Sequence, residues 1–243
     1  MSSTKWDCMM AHDIGASTLN NAKVLSHHSI QGHHHGCFSL ERWGDKNTLR
    51  WSMTVGCLID ERRPAFRYGS GQYKKRPILG IGMLIGSRGN TLIISDLHIP
   101  YQHPQAFDFL YELNHIYKFD RILNVGDLYD NHSGSFHTSE PDALNAEDEF
   151  NEAKRQAKIL QEIFPSMDIT KGNHCKIPQR KAKEAGLPTS MLGDFNSLYG
   201  TRSAWKWHDN EFYFDTRGAY PFLHPMVLNS KGEWDGDIMV PVV

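Results

Sequence analysis

Residues able to ligate a metal recur at the ends of apolar runs in this 243-residue chain. Three segments share one form, an apolar strand, then a potential ligand, then a loop. They are ISDLH with Asp96 and His98, NVGDLYD with Asp127, and TKGNH with Asn173 and His174. Side chains at the carboxyl ends of parallel strands converge on one crevice, where α/β sheets place their sites. An Asp-x-His in extended conformation sets both side chains on one face, two residues apart, as a clamp for a single cation. Glycines precede Asp127 and Asn173, where a tight turn or a close backbone approach is expected. Each segment alone occurs by chance in many proteins; all three at strand ends, in this order, are far rarer. Fourteen histidines, several of them crowded together, also demand a metal or acid–base explanation.

Strands must carry these residues to one edge and helices must return the chain between them. Residues 91–96 (TLIISD) predict a buried strand, and 104–117 an amphipathic helix with Phe107, Leu110, Tyr111 and Leu113 on one face. A second strand is expected over 121–126, a longer helix over 143–164 and a short strand over 168–171. Strand alternating with helix implies parallel strands in an α/β core. Earlier in the chain a strand is expected near 8–12, a helix near 16–26 and a strand near 28–33. Strand-like stretches follow at 37–43, 49–57 and 76–86. GSRGN at 86–90 is a turn joining two strands, by its two glycines and asparagine. The last thirty residues, with Gly and Pro throughout, give no firm element.

The order of the three segments resembles the calcineurin-like metallophosphoesterase superfamily, whose pattern runs Asp-x-His, Gly-Asp, Gly-Asn-His, a lone His, then Gly-His-x-His. The last two motifs do not follow His174. A Gly-His-x-His lies instead near the start, as Gly32-His33-His34-His35 after a strand, and His12 ends the strand before it. Residues 52–85 also look like the family's C-terminal strands. The chain thus resembles a circular permutation of the family order, one domain over 1–243 with the join near 86–90. Surface termini that lie near one another make such a rearrangement physically feasible. The resemblance covers about 8–85 and 91–215.

The resemblance implies an α/β fold, a two-sheet β-sandwich flanked by helices in four layers. It assigns one metal to Asp96, His98 and His35, and a second to Asn173, His33 and His12, with Asp127 bridging. It places His174 beside them as charge stabiliser or proton donor to the leaving oxygen. The reaction it implies is hydrolysis of phosphate mono- or diesters by a hydroxide bridging two divalent ions. Mixed imidazole and carboxylate ligands suit Mn, Fe, Zn or Ni better than Mg or Ca, with Mn favoured here. Two cations ~3.5–4 Å apart lower the pKa of a bridging water and neutralise charge on the phosphoryl group. The overall look is similar to that of small stand-alone phosphoesterases of phages and bacteria. The serine/threonine phosphatase branch carries Gly-Asp-x-x-Asp-Arg-Gly and Gly-Asn-His-Glu, where this chain has GDLYDNH and GNHC; the missing arginine argues against a phosphoprotein substrate. The alternatives are a nuclease or nucleotide phosphodiesterase of the same superfamily, acting on nucleic acid or nucleotides, and a metal-binding module without turnover.

Plainer readings compete for single residues. His12 by itself fits a satisfied histidine at a strand end, and only its company makes it a ligand. An affinity tag does not explain three histidines set between an apolar strand and CFSLERW. His27 and His28 have no assigned chemistry. His132 and His137, after Asp127, are polar loop residues for which solvation is the default and substrate contact the alternative. Lys171, Lys176, Arg180, Lys181 and Lys183 flank the Gly-Asn-His loop as a solvated face or a phosphate-binding one; Arg62, Arg63 and Arg67 pose the same choice. Trp205, Trp207 and Phe212 are expected in the core. A net charge of −2 argues against a general nucleic-acid coat protein, and four scattered cysteines against a zinc ribbon or disulfide framework. With no apolar run of membrane-spanning length and no secretory pattern at Met1–Asp13, a cytoplasmic protein is expected, in the host cytoplasm if phage-encoded.

Overall fold

A computed structural model describes residues 7–15, 17–44, 48–69, 76–136, 142–236 and 238. Residues before the GSRGN turn form β1 (Cys8–Ala11), α1 (Thr18–Leu25), β2 (His28–Gln31), β3 (Ser39–Gly44), β4 (Leu49–Thr54) and β5 (Gly80–Gly86). After it come β6 (Thr91–Ile94), α2 (Ala106–Tyr117), β7 (Arg121–Asn124), α3 (Ala146–Ile163), β8 (Met167–Thr170) and α4 (Ile177–Glu184). α5 (Phe195–Tyr199), β9 (Trp205–His208), β10 (Glu211–Phe214) and β11 (Ala219–Pro225) complete the order.

The strands make two mixed sheets, one ordered β10-β1-β2-β4-β3 and the other β11-β5-β6-β7-β8-β9. β6, β7, β8 and β9 are parallel neighbours, as the alternation with helices requires. β5 and β6 pair antiparallel across the predicted turn, Leu84 opposite Thr91.

Side chains alternate between two covered faces, which explains why the central strands of the larger sheet are apolar on both. Leu92 and Ile94 face α2 and α3, where they pack with Phe109, Leu110, Leu113, Ala157 and Leu160. Ile93, Leu84 and Leu123 point the other way, onto Met10, Ile30 and Met53 of the smaller sheet. α1 lies against β2 and β4. The result is the expected sandwich with helices on its outer faces. α3 begins where Asn145 accepts hydrogen bonds from the Glu147 and Asp148 amides, with three acidic residues in its first turn.

One expectation needs correction, and two features lie beyond what the sequence led us to expect. The buried face of α2 is Ala106, Phe109, Leu110 and Leu113, spaced i, i+3, i+4 and i+7, while Tyr111 is 55% exposed. β9 and β10 are close in sequence yet belong to different sheets, β9 beside β8 and β10 beside β1. The Gly- and Pro-rich tail contains β11, an edge strand held along its whole length by β5. Trp205 is buried in the core, and Trp207 and Phe212 pack against it, as expected.

Candidate metal centre

The carboxyl ends of β6, β7 and β8 and of β1 and β2 open onto one place. β6 delivers Asp96 and His98, β7 Asp127, β8 Asn173 and His174, β1 His12, and β2 His33 and His35. The expected residues come together as two adjoining triads, His35–Asp96–His98 and His12–His33–Asp127, and a third group, His98–Asp130–His174, adjoins them.

The Asp96–His98 segment is not the extended clamp expected. The ladder ends at Ile94, and Asp96 and His98 both take φ of 50°. His33 and Asp127 are also left-handed, at 66° and 40°. Each such residue costs about 1–3 kcal/mol, and such strain clusters where function over-determines the backbone. The two glycines are needed for close approach. A Cβ on Gly126 would sit 2.4 Å from His12 Nδ1, and one on Gly172 2.0 Å from Asp127 Oδ1.

Both central carboxylates divide their oxygens in the same way. Asp127 Oδ1 accepts from the His174 and Cys175 amides (2.8 and 3.3 Å). Its Oδ2 lies 3.0 Å from His12 Nε2 and 4.0 Å from His98 Nε2, one from each triad. Asp96 Oδ2 accepts from the His33 amide (2.9 Å) and the Ser95 hydroxyl, leaving Oδ1 3.2 Å from His35 Nε2 and 3.7 Å from His98 Nε2. Asn173 Oδ1 is 3.1 Å from His12 Nε2, and His33 Nδ1 3.3 Å from the same atom.

The imidazoles are oriented from behind. His12 Nδ1 donates to the Val125 carbonyl (2.8 Å), and His98 Nδ1 contacts Asp130 Oδ1 (2.5 Å). Those bonds occupy Nδ1 and turn Nε2 to the cluster, where a bound cation would take the place of its proton. His98 Nε2 is buried and has no hydrogen-bond partner among the described residues, which fits a cation there. His174 Nδ1 lies 3.0 Å from both the Asp130 carboxylate and its carbonyl.

Electrostatics point the same way. Burial pushes His12 down, but the Asp127 and Asp96 carboxylates overcome it and hold the ring up at about 9. Burial also opposes charge on His98, yet its bond to Asp130 and its proximity to Asp96 raise it to about 10. Asp96, Asp127 and Asp130 stay well below the ordinary carboxylate range despite burial, because histidines surround them. His174 is likewise raised against its burial, by Asp130. Three buried carboxylates therefore demand compensating positive charge, and cations would displace protons to supply it.

Asp130 was missed by sequence reasoning, although GDLYD carries two carboxylates three residues apart. It is the common anchor of His98 and His174. The next residue, Asn131, donates to the His174 carbonyl (3.2 Å) and accepts from the Tyr199 hydroxyl (2.7 Å), so it is structural. His132 is not a substrate-facing residue. Its ring is buried beside Tyr101, and its amide donates to Glu149. His137 and the Arg67 side chain lie outside the described residues. His34 stays out of the triads, its Nε2 3.9 Å from Asp13. His27 packs edge-on to Tyr213, while His28 stacks on Trp51. Arg62 and Arg63 pair with Asp60.

A family model described as calcineurin-like phosphoesterase matches residues 89–235, beginning inside the β5–β6 turn. No curated protein and no solved structure matches the chain.

Proposed function

This chain belongs to the calcineurin-like phosphoesterase family, and from that premise we propose that it hydrolyses phosphate mono- or diesters at a two-cation centre. His35, Asp96 and His98 would hold one cation and His12, His33 and Asn173 the other, with Asp127 serving both. The observation that carries this reading is the division of each carboxylate, one oxygen tied to amides and one turned to both triads or to two imidazoles. Imidazole with carboxylate favours Mn, Fe, Zn or Ni over Mg or Ca. When bound, a pair of such ions lowers the pKa of water and neutralises charge on a phosphoryl group.

The chain's own residues do the rest. Asp127 fixes the spacing of the two triads, because the amides of His174 and Cys175 leave its carboxylate no freedom to rotate. Asp130 holds His174 through Nδ1, so Nε2 can keep a proton and give it to the leaving oxygen. Asn173 is exposed and His33 and His35 are partly so, which makes theirs the face by which an ester enters.

We also infer a permuted chain order. His12, His33 and His35 precede the matched segment, yet they complete the two triads with residues inside it. β5 joins β6 through the turn where the match begins.

The test uses chelator-stripped protein reloaded with Mn, Fe, Zn or Ni. Metal-dependent release of nitrophenol from a mono- or diester is expected, and Asp127→Asn should lose both activity and most bound metal. Stoichiometric metal binding without hydrolysis of either ester would leave a metal-binding module and overturn the enzymatic reading.

A further inference from the structure

Two segments leave the buried Asp130–His174 pair and meet again at the surface. One is the loop 131–136; the other is α4. Gly134 faces Ile177 and Lys181, so a Cβ there would meet Ile177 at 2.7 Å. Beyond that contact the Arg180 guanidinium lies over the Phe136 ring, 4.0 Å from its centroid, with Lys181 Nζ at 5.3 Å. Phe136 is 74% exposed, so the face away from Arg180 is open to solvent. Arg180 lies in the first turn of α4, which begins three residues after His174.

Charge at this spot is unbalanced. Lys171 and Lys176 are engaged by Asp209 and Asn210. Arg180 and Lys181 share one carboxylate, Glu184, at 3.7 and 2.9 Å. Among the described residues, two cations against one anion leave a net positive charge beside an open aromatic face. An apolar ring this exposed gains little from the fold, and an arginine stacked on one side holds it in a fixed plane.

We propose that Phe136, backed by Arg180, is a stacking platform for a nucleobase next to the phosphodiester at the metal centre. Arg180 and Lys181 neutralise the neighbouring phosphate. Base–aromatic stacking tolerates any base, and arginine adds to it while pairing with phosphate oxygens. A base stacked beside a phosphodiester makes the preferred substrate class a nucleotide ester or a single strand. The catalytic half of this inference rests on the phosphoesterase reading; the binding half does not.

Two measurements keep the two apart. In the first, the metal-loaded protein is given two diesters with the same leaving group, nitrophenyl thymidine 5′-phosphate and methyl nitrophenyl phosphate. The ratio of their kcat/KM values should favour the nucleoside and fall roughly tenfold in Phe136→Ala, with Phe136→Trp restoring it. In the second, metal-stripped protein is titrated with 2-aminopurine, presented either as its 5′-monophosphate or within a short oligothymidylate. Stacking should quench the fluorescence, and Phe136→Ala should weaken binding. Comparing the two probes tells a free nucleotide from a strand. Quenching that depends on Phe136, without hydrolysis of either ester, would keep the platform and end the phosphoesterase reading. Hydrolysis with an unchanged ratio in Phe136→Ala, and no Phe136-dependent quenching, would end the platform and keep that reading.

Discussion

At the scale of single residues, Asp130 organises more of the centre than any residue that faces it. Its carboxylate meets His98 Nδ1 and His174 Nδ1, one imidazole of the proposed metal set and one proposed proton donor. Removing such an outer partner typically costs about 10–100-fold in metal affinity or activity. His174 separates ligation from acid chemistry, since its ring groups with His98 and Asp130 and lies in neither His35–Asp96–His98 nor His12–His33–Asp127. His174→Ala should keep both metals and lower kcat by roughly 10²–10⁴-fold. The loss should be large for an alkyl ester and small for a nitrophenyl ester, which needs no proton on leaving. Equal losses on the two would remove the proton-donor role and leave charge stabilisation.

At the scale of elements, β2 and β4 are joined by more than their ladder. His28, the first residue of β2, stacks on Trp51 of β4 with centroids 4.7 Å apart, and its Nδ1 accepts the Trp51 amide (3.1 Å). That acceptor role requires a neutral ring. Burial pushes the His28 pKa down; Asp7 opposes the shift, and Arg50 and His27 add to it. The unfolded chain then binds the proton more readily than the folded one. This contribution to stability is complete above the unfolded value of about 6.5 and is lost as pH falls through the depressed folded value. His28→Phe keeps the stack and removes the titration. Its melting temperature should fall less than the parent's between neutral and mildly acidic pH. Parallel declines would show that His28 does not contribute to acid sensitivity.

At the scale of the whole molecule, the centre lies where two sheets meet, and each sheet brings half of it. The proposed permutation makes the β5–β6 turn dispensable, because both strands are held by ladder bonds on each side, β5 by β11 and β6 by β7. A chain beginning at residue 89, with 1–88 returned through a flexible Gly/Ser linker, should fold and bind the same metal. Changing the length of a flexible connection costs only about 0.6 kcal/mol per doubling. Insoluble or metal-free protein across a series of linker lengths would count against the permuted order.

Much of this was determined by the sequence alone, for a local reason. A buried strand is a short apolar run, and its first polar residues mark the sheet's edge. Asp96, His98, Asp127 and Asn173 could therefore be picked out by type and position, and the family resemblance added His12, His33 and His35. The GSRGN turn carried its glycines and asparagine in plain view. Tertiary structure decided what depends on partners remote in the chain. The left-handed backbone at Asp96 and His98 follows from a ladder that stops at Ile94. The parting of β9 and β10 depends on which edge each finds, β8 or β1, and no short-range pattern encodes that. Asp130 reads as one more loop carboxylate until His98 and His174, 32 and 44 positions away, close upon it. Side-chain identity is local; which oxygen is tied to an amide and which is left to face a cation is set only when distant segments pack.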